Sequence, residues 1–310
     1  MIATMSAKHD AYRAHRPEDP AFMRHAFSVD CEDWYHGIEL PPSQWEGRQP
    51  RLEPALETLL AILDGAGTRV TFFCLGWIAE HHPTLVRRVA EAGHEIGSHG
   101  YAHQKVYEQT PEAFRADLLR TKSLLEDLTG RPVRGHRSPY FSITRDSLWA
   151  LPILRECGFQ YDCSISPVVT WRYGIAGSPE TPYRIADCDL VEFPISSFRL
   201  LGRRFGTGGA YLRILPYALT ARALRRKTRQ GLPGMIYVHP WEFDPSQPVV
   251  AMSWKTRLTH YFNLRGTAER VGRLLGEFPF APAAEILQAA PLADTLPCLR
   301  LADLVAPESG

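Results

Sequence analysis

Strand-like runs and amphipathic helical stretches take turns along this chain, and that cadence restricts its possible folds more than any other feature. Residues 26–29, 70–74, 94–97 and 234–238 have the length of short buried strands, and 159–162 and 190–193 look like two more. Helices are predicted between them. One covers 52–63 and is closed by Gly65 and Gly67. A second covers 83–92, with Pro83 in its first turn and Gly93 after it. A third, 111–128, carries Phe114, Leu118, Leu125 and Leu128 on one stripe and stops at Gly130, and a fourth covers 145–157. Further helices are predicted at 216–229, 267–276 and 282–289, and residues 206–210 read as a flexible loop. Alternation of this kind builds βαβ units and a parallel sheet, an α/β fold whose polar chemistry gathers at the C-terminal ends of the strands.

That rim is where the unusual residues fall. The run 26–29 ends in Asp30-Cys31-Glu32-Asp33 followed by Trp34, Tyr35 and His36. Clustered like charges at the end of a buried strand repel one another, so they need a partner. The run 94–97 ends in Ser98-His99-Gly100-Tyr101-Ala102-His103, the only pair of histidines four apart among the 12 in the sequence. Such a pair shares a helical face or the mouth of a turn and can grip one metal ion. Arg137 follows residues 133–136, and His239 follows the run 234–238.

Bulk properties set bounds. The 310 residues are 45% hydrophobic and 22% charged, enough for a substantial core, and a net charge of +1 gives no bulk electrostatic argument for nucleic acid or for an acidic membrane surface, so no nucleic-acid partner is expected. The basic helix at 216–229 reads as a solvated face. Six scattered cysteines without a C-x-x-C pair read as buried free thiols. Residues 1–24 read as a mobile leader without the apolar stretch of a signal peptide, 25–290 as one barrel domain with an irregular C-terminal extension, and 291–310 as a tail. No run approaches the roughly 20 apolar residues of a membrane span, so the expected location is cytoplasmic.

Together the rim residues make a hydrolytic metal site. His99, His103 and one carboxylate near residue 30 would hold a divalent metal and leave a position open for water. A second carboxylate would take the water's proton, with Arg137 orienting it, and His239 would protonate the leaving group. The backbone N–H of Tyr140, after Pro139, is a candidate oxyanion donor.

These residues resemble the motifs of the polysaccharide deacetylases of carbohydrate esterase family 4, the NodB-homology family. Asp30-Cys31-Glu32-Asp33 corresponds to the acidic first motif, His99 and His103 to His-x-x-x-His, Arg137-Ser138-Pro139-Tyr140 to Arg-x-Pro-Tyr, and Tyr237-Val238-His239 approximates Leu-x-His. The resemblance implies a distorted, mostly parallel (β/α) barrel that removes N-acetyl groups from amino-sugar polymers with a divalent metal. Zinc suits the donor set best, and cobalt or nickel are also accepted. It further implies Asp30 as base, and Glu32 or Asp33 as the carboxylate ligand. The family's usual Asp-Asp is interrupted here by Cys31. An extended backbone would put Asp30 and Glu32 on one side, whereas a turn straight after Asp30 would bring in Asp33. Asp162 is the candidate partner of His239. Closer likeness is to the subfamily found beside exosortase and PEP-CTERM sorting genes, on Ser28 to His36, Gly208-Gly209-Ala210-Tyr211-Leu212-Arg213, His239-Pro240-Trp241-Glu242-Phe243-Asp244-Pro245 and His260-Tyr261-Phe262-Asn263-Leu264. That implies a role in exopolysaccharide biosynthesis, a lipid-linked precursor as one substrate form, and Trp34 and Trp241 as sugar-stacking surfaces. The competing expectations are a C–N hydrolase acting on another acyl sugar or a small cyclic amide, and a silent carbohydrate-binding protein.

Overall fold

A computed structural model of the chain describes residues 23–289 and 292–305. The expected leader lies almost wholly outside the described residues. Strand β1 (His25–Cys31) is buried along its whole length, so it carries no polar alternation. Helix α1 (Leu52–Gly65) buries Leu52, Ala55, Leu56, Leu59 and Leu63, a stripe at helical spacing, and leads to β2 (Thr71–Cys74). Helices α2 (Gly76–His81) and α3 (Pro83–Glu91) precede β3 (Glu95–Ser98). Helix α4 (Pro111–Thr129) starts where the Thr110 side chain accepts from Ala113 N–H and ends on Gly130 at φ 64. The expected fourth helix is shorter than the sequence suggests: a 3₁₀ turn at Arg145–Ser147, then α5 (Ala150–Glu156).

Strands β4 (Gly135–His136) and β5 (Tyr161–Asp162) follow the same parallel pattern. The middle of the chain departs from it. Strands β6 (Tyr183–Ile185) and β7 (Leu190–Glu192) are antiparallel, and β8 (Ser197–Leu200) with β9 (Arg203–Gly206) forms a separate hairpin. Residues 206–210, expected as a flexible loop, instead pass from β9 into α6 (Ala210–Ile214) with Gly208 and Gly209 packed on Tyr237. Helix α7 (Tyr217–Arg229), β10 (Met235–Val238), α8 (Trp254–Tyr261), α9 (Thr267–Glu277), β11 (Phe280–Ala281) and α10 (Ala283–Gln288) complete the main body. The segment read as a tail contributes α11 (Leu292–Thr295), β12 (Cys298–Leu299) and α12 (Leu301–Val305), with β12 paired to β6.

The main sheet runs β10-β1-β2-β3-β4-β5-β7-β6-β12, and β11 adds to β1. All its ladders are parallel except β6–β7, as the expected mostly parallel α/β architecture requires. All six cysteines are free thiols, four of them buried. Among the described residues no helix is long and apolar enough to cross a membrane.

Candidate active site

Neighbouring parallel strands end level with one another and place their next residues on one rim. Glu32 follows β1, His99 follows β3, Arg137 follows β4 and His239 follows β10. Backbone bonds hold the rim in register: His99 N–H donates to the Cys74 carbonyl at 2.9 Å, and Arg137 N–H to the Ser98 carbonyl at 2.9 Å. Glu32, His99 and His239 line a cleft of about 620 Å³ together with Asp30, His103, Tyr140 and Trp241.

The two histidines meet on a turn, not on a helix. Gly100 at φ 71 and His103 at φ 52 bend the chain back, Asp117 accepts from Tyr101 N–H at 3.0 Å, and the rings lie 5.3 Å apart. His99 Nδ1 is 2.8 Å from the Arg137 carbonyl, which only accepts, so the ring hydrogen sits there and Nε2 keeps its lone pair. Burial pushes the His99 pKa down to about 4, so the ring stays neutral. His103 Nε2 lies 2.7 Å from Glu32 Oε2, yet that buried oxygen has no hydrogen-bond partner. Glu32 Oε1 accepts from Trp241 Nε1–H at 3.1 Å, which sets the orientation of the carboxylate. Burial would raise the Glu32 pKa, but His103, His239 and His99 outweigh it and hold it below the usual carboxylate range. Ligand atoms of Glu32, His99 and His103 all lie within 4.8 Å of one another, and the set fits a divalent cation.

Asp33 is removed from this set. Its Oδ2 accepts from Arg51 N–H at 2.8 Å and Leu52 N–H at 3.0 Å, its Oδ1 from Trp34 N–H at 2.7 Å, so it secures the start of α1. Just beyond β1 the chain turns Glu32 to His103, on the side where Asp30 meets Arg137, and Asp33 to the backbone of Arg51 and Leu52.

Asp30 lies beside the cation set. Its Oδ1 accepts from Arg137 at 2.6 Å, and the same guanidinium nitrogen donates to Ser28 Oγ at 2.8 Å. Arg137 is fully buried and its guanidinium sits 4.4 Å over the Phe73 ring. Across the cleft, His239 Nε2 is 4.0 Å from Asp30 Oδ2 and 3.6 Å from Glu32 Oε1. Its Nδ1 is 2.7 Å from Glu242 Oε1, and Glu242 Oε2 accepts from Arg213 Nε–H at 2.5 Å. Burial lowers the His239 pKa, but the Glu242 hydrogen bond and the charges of Glu32 and Glu242 more than offset it, and the net direction is up.

The partner of His239 is therefore Glu242, not Asp162. Asp162 is buried at 2.8 Å from His136 Nδ1 and accepts from Ser164, one layer below the rim. Sequence spacing held a clue, because His239-Pro240-Trp241-Glu242 puts a carboxylate three residues after the imidazole at a 3₁₀ turn, where both can cap the same N-terminus. Trp34 is also reassigned: it is 1% exposed, packs on Tyr35 at 5.5 Å and does not line the cleft. Trp241 lines the cleft but is sandwiched between His239 at 4.9 Å and His260 at 4.1 Å, both near-parallel, so it orients neighbours. Tyr140 does lie on the cleft wall, in left-handed backbone at φ 55 after the buried Pro139, with its ring 4.5 Å from His103.

With this geometry in place, likeness to known proteins is informative. The polysaccharide deacetylase family model matches residues 49–161. That stretch of the chain is similar to the polysaccharide deacetylases. It supplies His99, His103, Arg137 and Tyr140, while residues 163–288, which match a domain of unknown function (DUF3473), supply Arg213, His239 and Glu242. A peptidoglycan-N-acetylglucosamine deacetylase of Bacillus cereus is 36% identical over 31% of this chain and 37% of its own length. The chain thus spans about a third of the length of these curated relatives. A crystal structure from Mycobacterium smegmatis assigned to the polysaccharide deacetylases superposes with TM-score 0.59 at 20% identity, covering 91% of this chain and 95% of that one. Puue allantoinase superposes with TM-score 0.58 at 17% identity over 91% and 96%. Both share the fold of this chain.

Proposed function

We propose that this chain is a metal-dependent hydrolase that removes N-acetyl groups from an amino-sugar polysaccharide or its lipid-linked precursor, in exopolysaccharide biosynthesis. The observation that carries the reading is the convergence of Glu32, His99 and His103, whose ligand atoms lie within 4.8 Å of one another, with Asp30 and His239 on either side of the opening. Glu32, His99 and His103 would hold a divalent cation, zinc first, which would supply Lewis acidity. Asp30, held by Arg137, accepts the proton of the water as its oxygen bonds to the carbonyl carbon. Tyr140 N–H is the donor to the oxygen on which charge develops. His239 then gives the proton on Nε2 to the amide nitrogen as the C–N bond breaks, releasing acetate and a free amine. Glu242, itself held by Arg213, keeps the His239 ring oriented and stabilises its charged form.

Acetate release from N-acetylated oligosaccharides of defined composition, measured with and without chelator, tests the reading. Release that stops with chelator and returns with zinc is the expected result. His99→Ala abolishes metal uptake, and Asp30→Asn retains metal and loses about 10²- to 10⁴-fold in turnover. A metal-replete protein that binds these sugars and releases no acyl group would point to the silent carbohydrate-binding reading, and release from formyl sugars or cyclic amides alone would point to a different C–N hydrolase.

A further inference from the structure

Helix α8 is built the wrong way round for a surface helix. Such a helix normally buries an apolar stripe and shows polar residues to water. Here the inward face is polar: His260 is the one buried residue of the helix, its Nε2 2.8 Å from Gln247 Oε1, and Arg213 donates to the carbonyls of His260 and Phe262. Ser253, Thr256 and Thr259 line the cleft. Apart from Tyr261, which packs against the aromatic cluster around Trp241, the apolar residues face out. Trp254 is 72% exposed, Leu258 43% and Phe262, at the C-cap, 44%. At about 100° per residue these three positions, four apart, form one stripe; Arg257 flanks it on one side and Lys255, which also lines the cleft, on the other. Val249, just before the helix, is exposed as well. Between residues 246 and 268 the sequence contains Lys255, Arg257 and Arg265 and no aspartate or glutamate.

We propose that the outer face of α8 docks this protein on a lipid surface carrying anionic headgroups. A stripe of Trp, Leu and Phe bordered by cations and free of carboxylates is the pattern that seats a helix in the headgroup region, with the apolar side chains below and the cations at the phosphate level. A sugar-binding platform does not account for it, because Trp254 does not line the cleft and Leu258 offers no ring face. Since the opposite face of the same helix forms one wall of the cleft, docking sets the cleft mouth beside the lipid surface. Docking needs neither metal nor turnover, and stands or falls apart from the proposed activity.

The test is flotation of the full chain with phosphatidylcholine vesicles and with vesicles containing phosphatidylglycerol, at low and high salt. Expected is binding at least about tenfold tighter to the anionic vesicles and weakened by salt. Trp254→Ser/Leu258→Ser and, separately, Phe262→Ser should each lose about tenfold or more, and Arg257→Glu should remove most of the preference for anionic lipid. Circular dichroism and melting confirm that each variant is folded. Failure to float with either vesicle overturns the proposal, as does undiminished binding by the folded Trp254→Ser/Leu258→Ser variant. A dimer that this double variant dissolves, in a protein that binds no vesicle, also overturns it and assigns the face to a second copy of the chain.

Discussion

Glu32 and Asp33 are adjacent carboxylates with opposite duties, and substitution separates them. Removing Glu32 takes away a converging ligand. Glu32→Ala should weaken zinc binding by more than about 100-fold, the most that losing a mere supporting partner costs. Asp33 instead holds the first N–H groups of α1. Asp33→Ala should leave zinc uptake intact and lower stability by about 1–2 kcal/mol, and titration calorimetry beside urea unfolding reads both. Glu242 is tested by pH. His239 must carry a proton to act as an acid, so turnover falls as pH rises through its pKa, which Glu242 helps to raise. Glu242→Gln should move that alkaline limb of the kcat profile down by about one unit or more. An unmoved limb would show that another group titrates there.

At the scale of elements, the site depends on where strands stop. β10 must deliver His239 at the rim, and the turn before α6 packs directly against it. A Cβ on Gly208 would lie 2.4 Å from the Tyr237 carbonyl oxygen and 2.7 Å from its nitrogen, both backbone atoms that cannot swing aside. Gly208→Ala should therefore push β10 outward, costing roughly 1–3 kcal/mol in stability and lowering kcat while zinc affinity stays near that of the parent, because no ligand lies on β10. Equal stability of the two proteins in urea would refute the contact. Residues 206–210 looked like a flexible loop because Gly208 and Gly209 offer freedom locally; in the folded chain the same residues serve close approach.

Over the whole molecule, buried histidines link stability to acidity. His94 Nδ1 accepts from Val70 N–H at 3.2 Å, and burial, aided by Arg69, lowers its pKa from 6.5 to about 4. Between those values the unfolded chain binds the proton and the folded chain does not, so this contribution is present above pH 6.5 and is lost as pH falls toward 4. Asp117 titrates in the opposite sense, burial having raised it to about 6. His94→Gln keeps an acceptor without a charge change, and the stability advantage of the parent over it should shrink between pH 6.5 and 4; a constant difference in urea midpoints would refute the assignment. Much of the architecture was legible before folding, because strand and helix periodicities are local and a parallel sheet follows from their alternation. The rim was legible too, since His99, Arg137 and His239 each follow a strand. What local spacing could not convey was direction and depth. Asp33 and Glu32 are equally acidic in sequence, and only the course of the folded chain just beyond β1 turns one toward α1 and the other toward the histidines. Trp34 and Trp241 carry the same ring, but one is sealed in an aromatic core and the other braced between two imidazoles. Glu242 and Asp162 were both carboxylates near a strand end, and the choice between them rested on contacts across β10, α6 and α8. Chemical identity and chain order suffice for which strands form and which groups reach their ends; which way each side chain points, and what it meets there, depends on packing between segments far apart in the chain.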